Sequence, residues 1–543
     1  MAGPTRTPLA QRPVVWVLAG SDSSSGAGCQ ADLLTGHDLD VHVCTLITAI
    51  TAQNSLGVTS VMAVPVELLQ AQWQALINDM PPAVIKIGML ADPAQVQALA
   101  GWLATAKARW PTLQVVLDPV GVASSGDPLC APGTRQSLAL LWPYVDLLTP
   151  NALELAELTR SPISSPATTL AACAQLVAAG VGAVLAKGGH HPEMADQEKA
   201  VWPSGQCVDL LATATGEWWL VLPRLPSRHS HGSGCTLASA VACLLAHGYD
   251  LADAVTLARA YVQQGLHAAQ PIGHGPGPVA HTGWPRRPDC LPQILPVRHD
   301  GQHTVHDQPS RVLCDQWLAL NRRPAFAACP PRLGFYPVVD SLEWVKRLLG
   351  WGVKTLQLRI KQSVDGRMES DIADAILLAR RAGAHLFIND HWALALKLGA
   401  WGVHLGQEDM VQADLAALAQ AGIRVGLSTH GPFELACALG WRPSCVALGH
   451  LFPTQTKQMP SRPQGILGLQ RQLPLCGATP TIAIGGIDLS RVDAVRATDV
   501  GSIAVVSAIT AAVDPQQAVR AFYAAMAALP SVCGNEQEAT HVA

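Results

Sequence analysis

A short run of small residues around one thiol is the clearest place in this chain to expect chemistry. The motif HGSGCT at 231–236 precedes an apolar helical pattern, so the free amides of a helix N-terminus would converge on one point. Such amides stabilise a phosphate during its transfer, which predicts an anion hole at Gly232, Ser233 and Gly234. At the same helix end Cys235 should have a lowered pKa and could take a proton from a hydroxyl. The alternative is that Cys235 is an ordinary small helix residue.

Further groups in the first half could serve an anionic substrate. Lys187 follows the strand-like run 183–185 and offers a cation for phosphates, while Asn151 and Glu154 offer oxygen ligands for Mg²⁺-bound water. A Gly/Ser-rich turn at 19–32 would let the backbone approach a ligand closely. Each signal is weak alone, and the turn is neither a Walker loop nor a GxGxxG fingerprint.

In the second half, polar and apolar residues alternate along one strand-like segment. Gln357, Arg359 and Lys361 share one face, and Leu358 and Ile360 share the other. The segment is otherwise hydrophobic, which favours a functional polar face inside a barrel over a solvated surface.

Two aspartates end later strand-like segments of this half. Asp390 and Asp409 could together hold Mg²⁺, which prefers a few carboxylates plus substrate phosphates. Either one alone could instead cap a helix.

Small residues after the last strands predict a second anion site. Gly485-Gly486 and Val506-Ser507 follow the seventh and eighth segments, where phosphate sites of (β/α)₈ barrels recur. The run FPTQTK at 452–457 follows the sixth segment and supplies Lys457 for a metal-assisted diphosphate site.

The elements that must position these residues form two α/β patterns. From Val14 to about Gln270, short β-branched runs alternate with Ala/Leu-rich helical patterns, which predicts a mostly parallel sheet covered by helices. After Arg332, eight strand-like segments alternate with helices and predict a (β/α)₈ barrel with its active site at the carboxyl ends of the strands. These segments are Gly334–Val339, Thr355–Ile360, His385–Ile388, Gly402–Leu405, Arg424–Leu427, Cys445–Leu448, Thr481–Ile484 and Ser502–Val506.

The stretch between the two patterns is rich in proline and lacks periodicity. We therefore predict a first domain at 1–284, a linker at 285–330 with one short helix at Arg311–Leu320, a barrel at 331–528 and a tail at 529–543.

Composition excludes several classes of protein. The chain has 543 residues, too many for one hydrophobic core, and its 36 basic and 40 acidic residues form no long run of one sign, so nucleic acid is not an expected partner. Fourteen cysteines include no CxxC pair, which disfavours zinc and disulfide frameworks. The first apolar run leads into a turn as a core strand does, and no stretch is long enough to span a membrane, so we expect a cytoplasmic protein.

The motifs of the first half together resemble one kinase family. The motifs that carry this resemblance are AGSDSSSGAGCQAD, TAQN, KIGML, DPV, TPNALE, KGGH and HGSGCT. Over about 13–282 the chain resembles hydroxymethylpyrimidine and phosphomethylpyrimidine kinases, which have the ribokinase-like fold. The resemblance implies an ATP-dependent kinase with Cys235 as base. It also implies that Gln53 pairs with the ring of the substrate. The implied pyrimidine contacts are Gly20, Asp32, Gln53, Met89 and Val120, and the implied ATP and Mg²⁺ contacts are Asn151, Glu154 and Lys187.

This half departs from the family pattern at four positions. Ser25 replaces a usual glycine, Ser233 replaces a common threonine, and Gly121 and Ser124 alter a stretch that often reads MVAKSG. The missing lysine at 124 bears on ATP or lid contacts and leaves the transfer chemistry intact.

The second half strongly resembles thiamine phosphate synthase. The motifs are YPVVDS, TLQLRIK, FIND, GVHLGQED, GLSTH, ALGHLFPTQTKQMPS, AIGGI and GSIAVVSAI, over about 333–512. The resemblance implies Mg²⁺ at Asp390 and Asp409. The implied pyrimidine diphosphate contacts are Gln357, Arg359, Lys361, Asn389, Ser428 and Lys457. The implied thiazole phosphate contacts are Thr454, Gln455, Thr456, Gly486, Val506 and Ser507.

Taken together, the resemblances imply two phosphorylations of a pyrimidine and its coupling to a thiazole phosphate. The partners are then small molecules, and a homo-oligomer through the first domain is left open. One alternative is a pyridoxal or sugar kinase fused to an unrelated phosphate-binding barrel. Another is a sensor of the thiamine pathway in which one half binds ligand without turnover.

Overall fold

A computed structural model describes the chain at residues 12–123, 125–189, 202–297, 308–323, 325–361, 366–454 and 461–527. It divides into two compact units, Met1–Arg322 and Arg323–Ala543. Within the described ranges, no helix has the length and apolar composition that a membrane crossing needs. The predicted tail at 529–543 lies outside these ranges.

The first unit is built on a ten-stranded sheet in the order β10-β9-β8-β7-β6-β5-β4-β1-β2-β3. Its strands are β1 Val14–Asp22, β2 His42–Gln53, β3 Val58–Ala63, β4 Val84–Ile87, β5 Gln114–Leu117, β6 Leu147–Leu148, β7 Ala183–Ala186, β8 Gln206–Thr213, β9 Gly216–Pro223 and β10 Gln293–Pro296. Six central strands are parallel, β2 and β4 on either side of β1 and then β5, β6 and β7, and antiparallel strands complete both edges. The strands β4, β6 and β7 are buried throughout, as expected when helices cover both faces of a parallel sheet.

Nine helices are described in this unit. They are α1 Gly28–Asp38, α2 Val66–Ile77, α3 Pro93–Arg109, α4 Thr134–Ser137, α5 Ala152–Thr159, α6 Pro166–Ala178, α7 Ser233–Ala246, α8 Leu251–Ala268 and α9 Gln308–Asn321.

The strand order reverses beside β1, because β2 lies on one side of it and β4 on the other. Ligands of open parallel sheets bind at the carboxyl ends of the strands at such a point. Five candidate residues lie at this edge of the sheet. They are Asp22 at the end of β1, Met89 after β4, Asp118 after β5, Asn151 after β6 and Lys187 after β7.

The stretch 285–330, which we predict to be a linker, contains a strand and a helix that pack on the first unit. Within the described residues, β10 pairs antiparallel with β9, and α9 packs against α6. Leu295, Leu313 and Leu320 are buried in the same core cluster as the sheet. Prolines in this stretch hid the periodicity of the strand and the helix in the sequence. The strand tolerates proline because β10 lies at the edge of the sheet. The predicted short helix at Arg311–Leu320 is present.

The second unit is a closed barrel of eight parallel strands, β11 to β18. The strands are β11 Gly334–Val339, β12 Thr355–Leu358, β13 His385–Asn389, β14 Gly402–Leu405, β15 Arg424–Thr429, β16 Cys445–Leu448, β17 Thr481–Ala483 and β18 Ser502–Val505. All eight predicted segments are confirmed with small shifts at their ends. The (β/α)₈ barrel and the α/β class of the first unit are therefore both confirmed.

Ten helices are described in the barrel unit. They are α10 Leu342–Gly350, α11 Met368–Arg381, α12 Trp392–Lys397, α13 Gln407–Gln412, α14 Leu415–Gln420, α15 Pro432–Gly440, α16 Gly465–Gln472, α17 Val492–Arg496, α18 Ser507–Thr510 and α19 Pro515–Ala527.

Candidate active sites

A cluster of charged side chains lies beside the N-terminus of α7 in the first unit. Lys187 Nζ donates to Asp118 Oδ1 at 2.7 Å and lies 3.7 Å from Glu154 Oε2. A Cβ added to Gly234 would lie 3.3 Å from Lys187 Nζ and 3.7 Å from Asp118 Oδ2, which places the anion-hole backbone next to this cluster. The predicted cation and the predicted anion hole are therefore brought together.

The backbone that begins α7 is packed against the turn after β1. Gly232 is the N-cap of α7 with φ 76°, and a Cβ there would lie 1.9 Å from the Gly26 carbonyl oxygen. Gly28 has φ 59°, and a Cβ there would lie 2.3 Å from the Gly20 carbonyl oxygen. Only glycine permits both the positive φ and the close approach, so the two predicted ligand-binding turns touch through their backbones.

The lowered pKa predicted for Cys235 is wrong. Burial raises the pKa of the thiol to about 11, and the nearby carboxylates of Asp32 and Asp118 add to the effect. Lys86 and a backbone hydrogen bond with Gly28 act in the opposite direction but do not outweigh burial. The thiol is therefore protonated at neutral pH in this structure.

Asp32 lies in a buried ion pair, and its predicted contact with the pyrimidine stays a prediction. Its carboxylate accepts from Lys86 Nζ at 2.9 and 3.0 Å and from Ser239 Oγ at 2.5 Å, and both charged side chains are fully buried. Burial raises the pKa of Asp32, and the charge of Lys86 opposes that shift. The partner of Asp32, Ser239, lies one helical turn along α7 from Cys235, so this ion pair is anchored to the helix that carries the thiol.

The other predicted pyrimidine contacts lie close together. Met89 is buried with Val120 packed against the same small cluster, and a Cβ on Gly20 would lie 2.8 Å from Met89 Sδ. Gln53 Nε2 lies 3.5 Å from His231 Nε2, the residue just before the anion hole. These side chains form an apolar surface with one amide at its edge.

Asp22 and His231 belong to quoted motifs but were not predicted as site residues. His231 Nε2 lies 3.3 Å from Asp22 Oδ2, which also accepts from the amides of Gly26 and Ala27. Burial would raise the pKa of Asp22, but the hydrogen bonds from His231, Ser24 and Ala27 lower it to about 2. The Asp22 carboxylate thus fixes the turn, and several small residues directly after an Asp are the signal that could have revealed it.

Asn151 and Glu154 form a capping box at the start of α5. Asn151 Oδ1 accepts from the amides of Leu153 and Glu154, and Glu154 Oε2 accepts from the Asn151 amide at 2.7 Å. Burial raises the pKa of Glu154, while Lys187 opposes the shift. Their predicted contact with Mg²⁺-bound water stays a prediction.

The structure shows the local surroundings of two positions that depart from the kinase pattern, Ser25 and Gly121. Ser25 has φ 60°, a conformation that glycine adopts without strain. A Cβ on Gly121 would lie 2.0 Å from Arg135 Nε, so an arginine occupies the space that a side chain at 121 would need. Ser124 lies outside the described residues.

In the barrel, four of the predicted diphosphate-binding residues lie near the carboxyl ends of the neighbouring strands β12 and β13. Gln357 is buried in β12 and donates to Tyr336 Oη at 3.1 Å. The strand ends at Leu358, earlier than predicted, so half-buried Arg359 and exposed Lys361 follow its carboxyl end. Asn389 is the last residue of β13.

Asp390 and Asp409 are brought together as predicted. Burial, then the charge and a hydrogen bond of Asp409, raises the pKa of Asp390, while Arg359 opposes the shift. Asp409 Oδ2 also accepts from the Gly406 amide at 3.2 Å, so it caps α13. Two adjoining carboxylates repel each other, and a divalent cation with oxygen ligands would relieve that repulsion.

Ser428 has a buried partner that was not predicted. His404 Nε2 lies 2.9 Å from Ser428 Oγ, and burial lowers the pKa of His404 to about 4, so its ring is neutral. Gln407 Nε2 donates to the Ser428 carbonyl oxygen at 2.7 Å. The GVHLGQED motif contained this histidine, but nothing in its spacing distinguished it from a core residue.

Three of the predicted thiazole phosphate residues follow the ends of the adjacent strands β17 and β18. Gly486 follows β17, Val506 follows β18, and Ser507 begins α18. Gly486 is packed against Phe452 and Pro453, which places Thr454 beside it. Gln455, Thr456 and Lys457 lie outside the described residues.

Comparison with known proteins separates the same two units. A family model described as Phosphomethylpyrimidine kinase matches residues 22–280, and one described as Thiamine monophosphate synthase matches residues 335–509. A thiamine-phosphate synthase of Yersinia pestis (strain Pestoides F) is 61% identical over 195 residues, which are 36% of this chain and 91% of that protein. The chain belongs to the thiamine-phosphate synthase family. It carries a phosphomethylpyrimidine kinase domain ahead of the synthase domain.

Further similar proteins match parts of this chain. A thiamine-phosphate synthase of Cronobacter sakazakii (strain ATCC BAA-894) is 61% identical over 191 residues, 35% of this chain and 91% of that protein. A phosphomethylpyrimidine kinase structure from Clostridium difficile 630 is 31% identical with a TM-score of 0.39, and the alignment covers 47% of this chain and 99% of that one. A pyridoxal kinase from Staphylococcus aureus, in complex with AMP-PCP and pyridoxal, is 26% identical with a TM-score of 0.46, over 53% of this chain and 100% of that one.

Both enzymatic activities of thiamine biosynthesis are thus assigned to this chain, a kinase acting on the phosphomethylpyrimidine and a thiamine-phosphate synthase.

Proposed function

We propose that the chain performs three consecutive reactions with ATP and Mg²⁺. The kinase domain phosphorylates 4-amino-5-hydroxymethyl-2-methylpyrimidine to its monophosphate and then to its diphosphate. The synthase domain then joins the diphosphate to 4-methyl-5-(2-phosphooxyethyl)thiazole, giving thiamine phosphate and pyrophosphate. The observation that carries this proposal is that one chain combines a kinase site and a synthase site in which the product of the first is a substrate of the second.

In the kinase reaction the pyrimidine would lie against Gly20, Met89 and Val120, with the Gln53 amide at its edge. The amides of Gly232, Ser233 and Gly234 would bind the phosphoryl group in transfer, and Lys187 would neutralise its charge. Cys235 would take the proton of the attacking hydroxyl. Because burial raises the pKa of this thiol to about 11, we expect the kinase rate to increase with pH above neutrality.

In the synthase reaction, Asp390 and Asp409 would hold Mg²⁺, which would stabilise negative charge on the diphosphate. The described residues contain no group of three or more His, Cys, Asp or Glu side chains arranged for a metal. The two carboxylates fit Mg²⁺ because this ion commonly takes its other ligands from substrate phosphates and water.

The remaining residues of the synthase site would bind and orient the two substrates. Gln357, Asn389 and Ser428 would orient the pyrimidine. Arg359 and Lys361, with Lys457, would bind the pyrophosphate as it leaves. The methylene carbon loses its C–O bond to pyrophosphate and forms a C–N bond with the thiazole nitrogen, so the protein supplies no nucleophile.

The thiazole phosphate would bind at the ends of the last strands. Gly486, Val506 and Ser507, with Thr454, Gln455 and Thr456, would contact its phosphate. We also propose that the protein is cytoplasmic and that it forms a homo-oligomer through its kinase domain.

The direct test is a reaction of the purified chain with hydroxymethylpyrimidine, ATP, Mg²⁺ and thiazole phosphate. Thiamine phosphate should form without added pyrimidine diphosphate, and omission of ATP should abolish it. Pyridoxal in place of the pyrimidine tests the competing kinase activity. Formation of thiamine phosphate only from added diphosphate would contradict the kinase half of the proposal.

A further inference from the structure

A buried ion pair in the kinase domain lies outside the residues discussed so far. Asp209 is in β8 and Arg259 is in α8, and they are 1% and 6% exposed. Arg259 Nε pairs with Asp209 Oδ2, and Arg259 Nη2 lies 3.6 Å from the sulfur of Cys207. Buried ion pairs can often be replaced by apolar residues without loss of stability, so stability alone does not explain this one.

The second oxygen of Asp209 binds the backbone of the turn that carries Lys187. Asp209 Oδ1 accepts from the Gly188 amide at 2.7 Å, and this hydrogen bond is buried. The distance is typical of a charge-assisted hydrogen bond, which is stronger than one between neutral groups. The carboxylate therefore joins two elements, with one oxygen on Arg259 and the other on Gly188.

The turn is held at each of its three residues. The Lys187 amide donates to the Pro150 carbonyl oxygen at 2.8 Å, and Arg224 Nη1 donates to the Gly189 carbonyl oxygen at 3.0 Å. A Cβ on Gly188 would lie 1.9 Å from the Val208 carbonyl oxygen, so this residue fits only as glycine. A shift of Gly188 would therefore move the Lys187 side chain, which lies beside Gly234 at the start of α7.

We propose that Asp209 and Arg259 are positioning residues for phosphoryl transfer. Arg259 orients Asp209, and Asp209 holds the Gly188 amide, so that Lys187 stays aligned with the anion hole. The accepting carboxylate oxygen of Asp209 fixes the direction of the Gly188 amide. This inference rests on the proposed role of Lys187 toward the phosphate donor.

Two double variants of the full chain separate positioning from stability. Asp209→Asn/Arg259→Met removes both charges but keeps an oxygen acceptor for Gly188. Asp209→Leu/Arg259→Met removes the same charges and the acceptor as well. Both avoid leaving a lone buried charge, which would be strongly destabilising.

The leucine variant should raise the KM for ATP and lower kinase kcat by up to about 100-fold, as displacement of a catalytic group by about 1 Å can do. Its KM for the pyrimidine should stay within about twofold, because that site is built from other residues. The asparagine variant should lose clearly less than the leucine variant on both ATP constants, because it keeps an oxygen acceptor for the Gly188 amide and lacks only the Arg259 partner that orients it. Calorimetric binding of the pyrimidine confirms that each variant is folded.

Equal ATP kinetics for the two folded variants would overturn the proposal and leave the pair a purely structural role. If the leucine variant fails to bind pyrimidine, Gly188→Ala replaces it, because its Cβ displaces the turn without touching a charge. That variant should show the same selective loss toward ATP, and unchanged ATP kinetics would overturn the proposal. The ATP kinetics of Lys187→Met are measured in the same experiment. If they equal those of the wild type, the proposed role of Lys187 is refuted, whatever the two double variants show.

Discussion

In the kinase site the lysines form ion pairs with carboxylates of the protein, whereas in the synthase site two carboxylates adjoin and repel each other. Lys86 is paired with Asp32, and Lys187 is paired with Asp118 beside Glu154. In the barrel, the charge of Asp409 raises the pKa of Asp390. In the kinase site each of these two lysines is thus paired with a carboxylate of the protein, while in the synthase site two carboxylates adjoin and a divalent cation would relieve their repulsion.

This difference predicts how each site fails. The kinase should depend on individual buried side chains, and the synthase should depend on what is bound to it.

The largest effect is expected from Cys235→Ala, which should reduce both pyrimidine phosphorylations by at least about 100-fold, as loss of a general base does. Synthase turnover of added diphosphate should be unchanged, because the thiol serves only the kinase. Cys243→Ala, on the same helix but deep in the core, is the matched control and should retain kinase turnover. Kinase rates for Cys235→Ala equal to wild type would refute the base assignment.

Asp409→Asn should lower synthase kcat by about 10- to 100-fold, because the interaction lost is strongest as charge builds on the leaving pyrophosphate. Added Mg²⁺ should restore part of the rate. Ser507→Ala should instead raise mainly the KM for thiazole phosphate. A wild-type kcat for Asp409→Asn at limiting Mg²⁺ would show that the metal site is elsewhere.

A kinase segment ending at residue 322 should be more stable than one ending at 284. The longer segment retains β10 and α9, with Leu295, Leu313 and Leu320 buried in the core. Burial of one such side chain contributes about 2 kcal/mol, so loss of the three leucines should cost the shorter segment about 6 kcal/mol. Urea unfolding of the two segments measures the difference, and equal midpoints and slopes would restore the linker interpretation.

Asp22→Asn should lower the free energy of unfolding of the kinase domain by about 2 kcal/mol at pH 7, since the folded pKa of Asp22 is about 2 and its ordinary value is 3.8. A depressed folded pKa stabilises the protein above the unfolded pKa, and this contribution is lost as pH falls through the folded value. The gap between wild type and variant should therefore close between about pH 4 and pH 2. Denaturant titrations across this range test the sign, and a gap that widens toward low pH would contradict it.

The smallest effect is expected from Ser25→Gly, which should stabilise the kinase domain by about 1 kcal/mol by removing a left-handed non-glycine residue. Ser25→Ala keeps the Cβ and loses only the hydroxyl, so it should give no gain. Thermal unfolding compares the two, and equal stabilisation by both would assign the effect to the hydroxyl.

The sequence predicted the strands better than it predicted the electrostatics. The barrel strands were found because each is a short buried run at regular spacing, whereas β10 was missed because prolines flank it. The raised pKa of Cys235 and the burial of Asp32 could not be predicted, since both depend on packing between α1 and α7, which are some 200 residues apart. Residues within one motif were easier to place than partners such as Lys86, which a different strand supplies.

The direct backbone contact between the turn after β1 and the start of α7 also limits how this enzyme can diversify. Gly28 and Gly232 each face a carbonyl oxygen with no space for a side chain. In a mutant library made to change the pyrimidine preference, variants with a substitution at either of these two positions should therefore fail to fold. Gln53 and Val120 are proposed to contact the pyrimidine and are not part of this backbone contact, so a library that varies these two positions should contain mostly members that still fold.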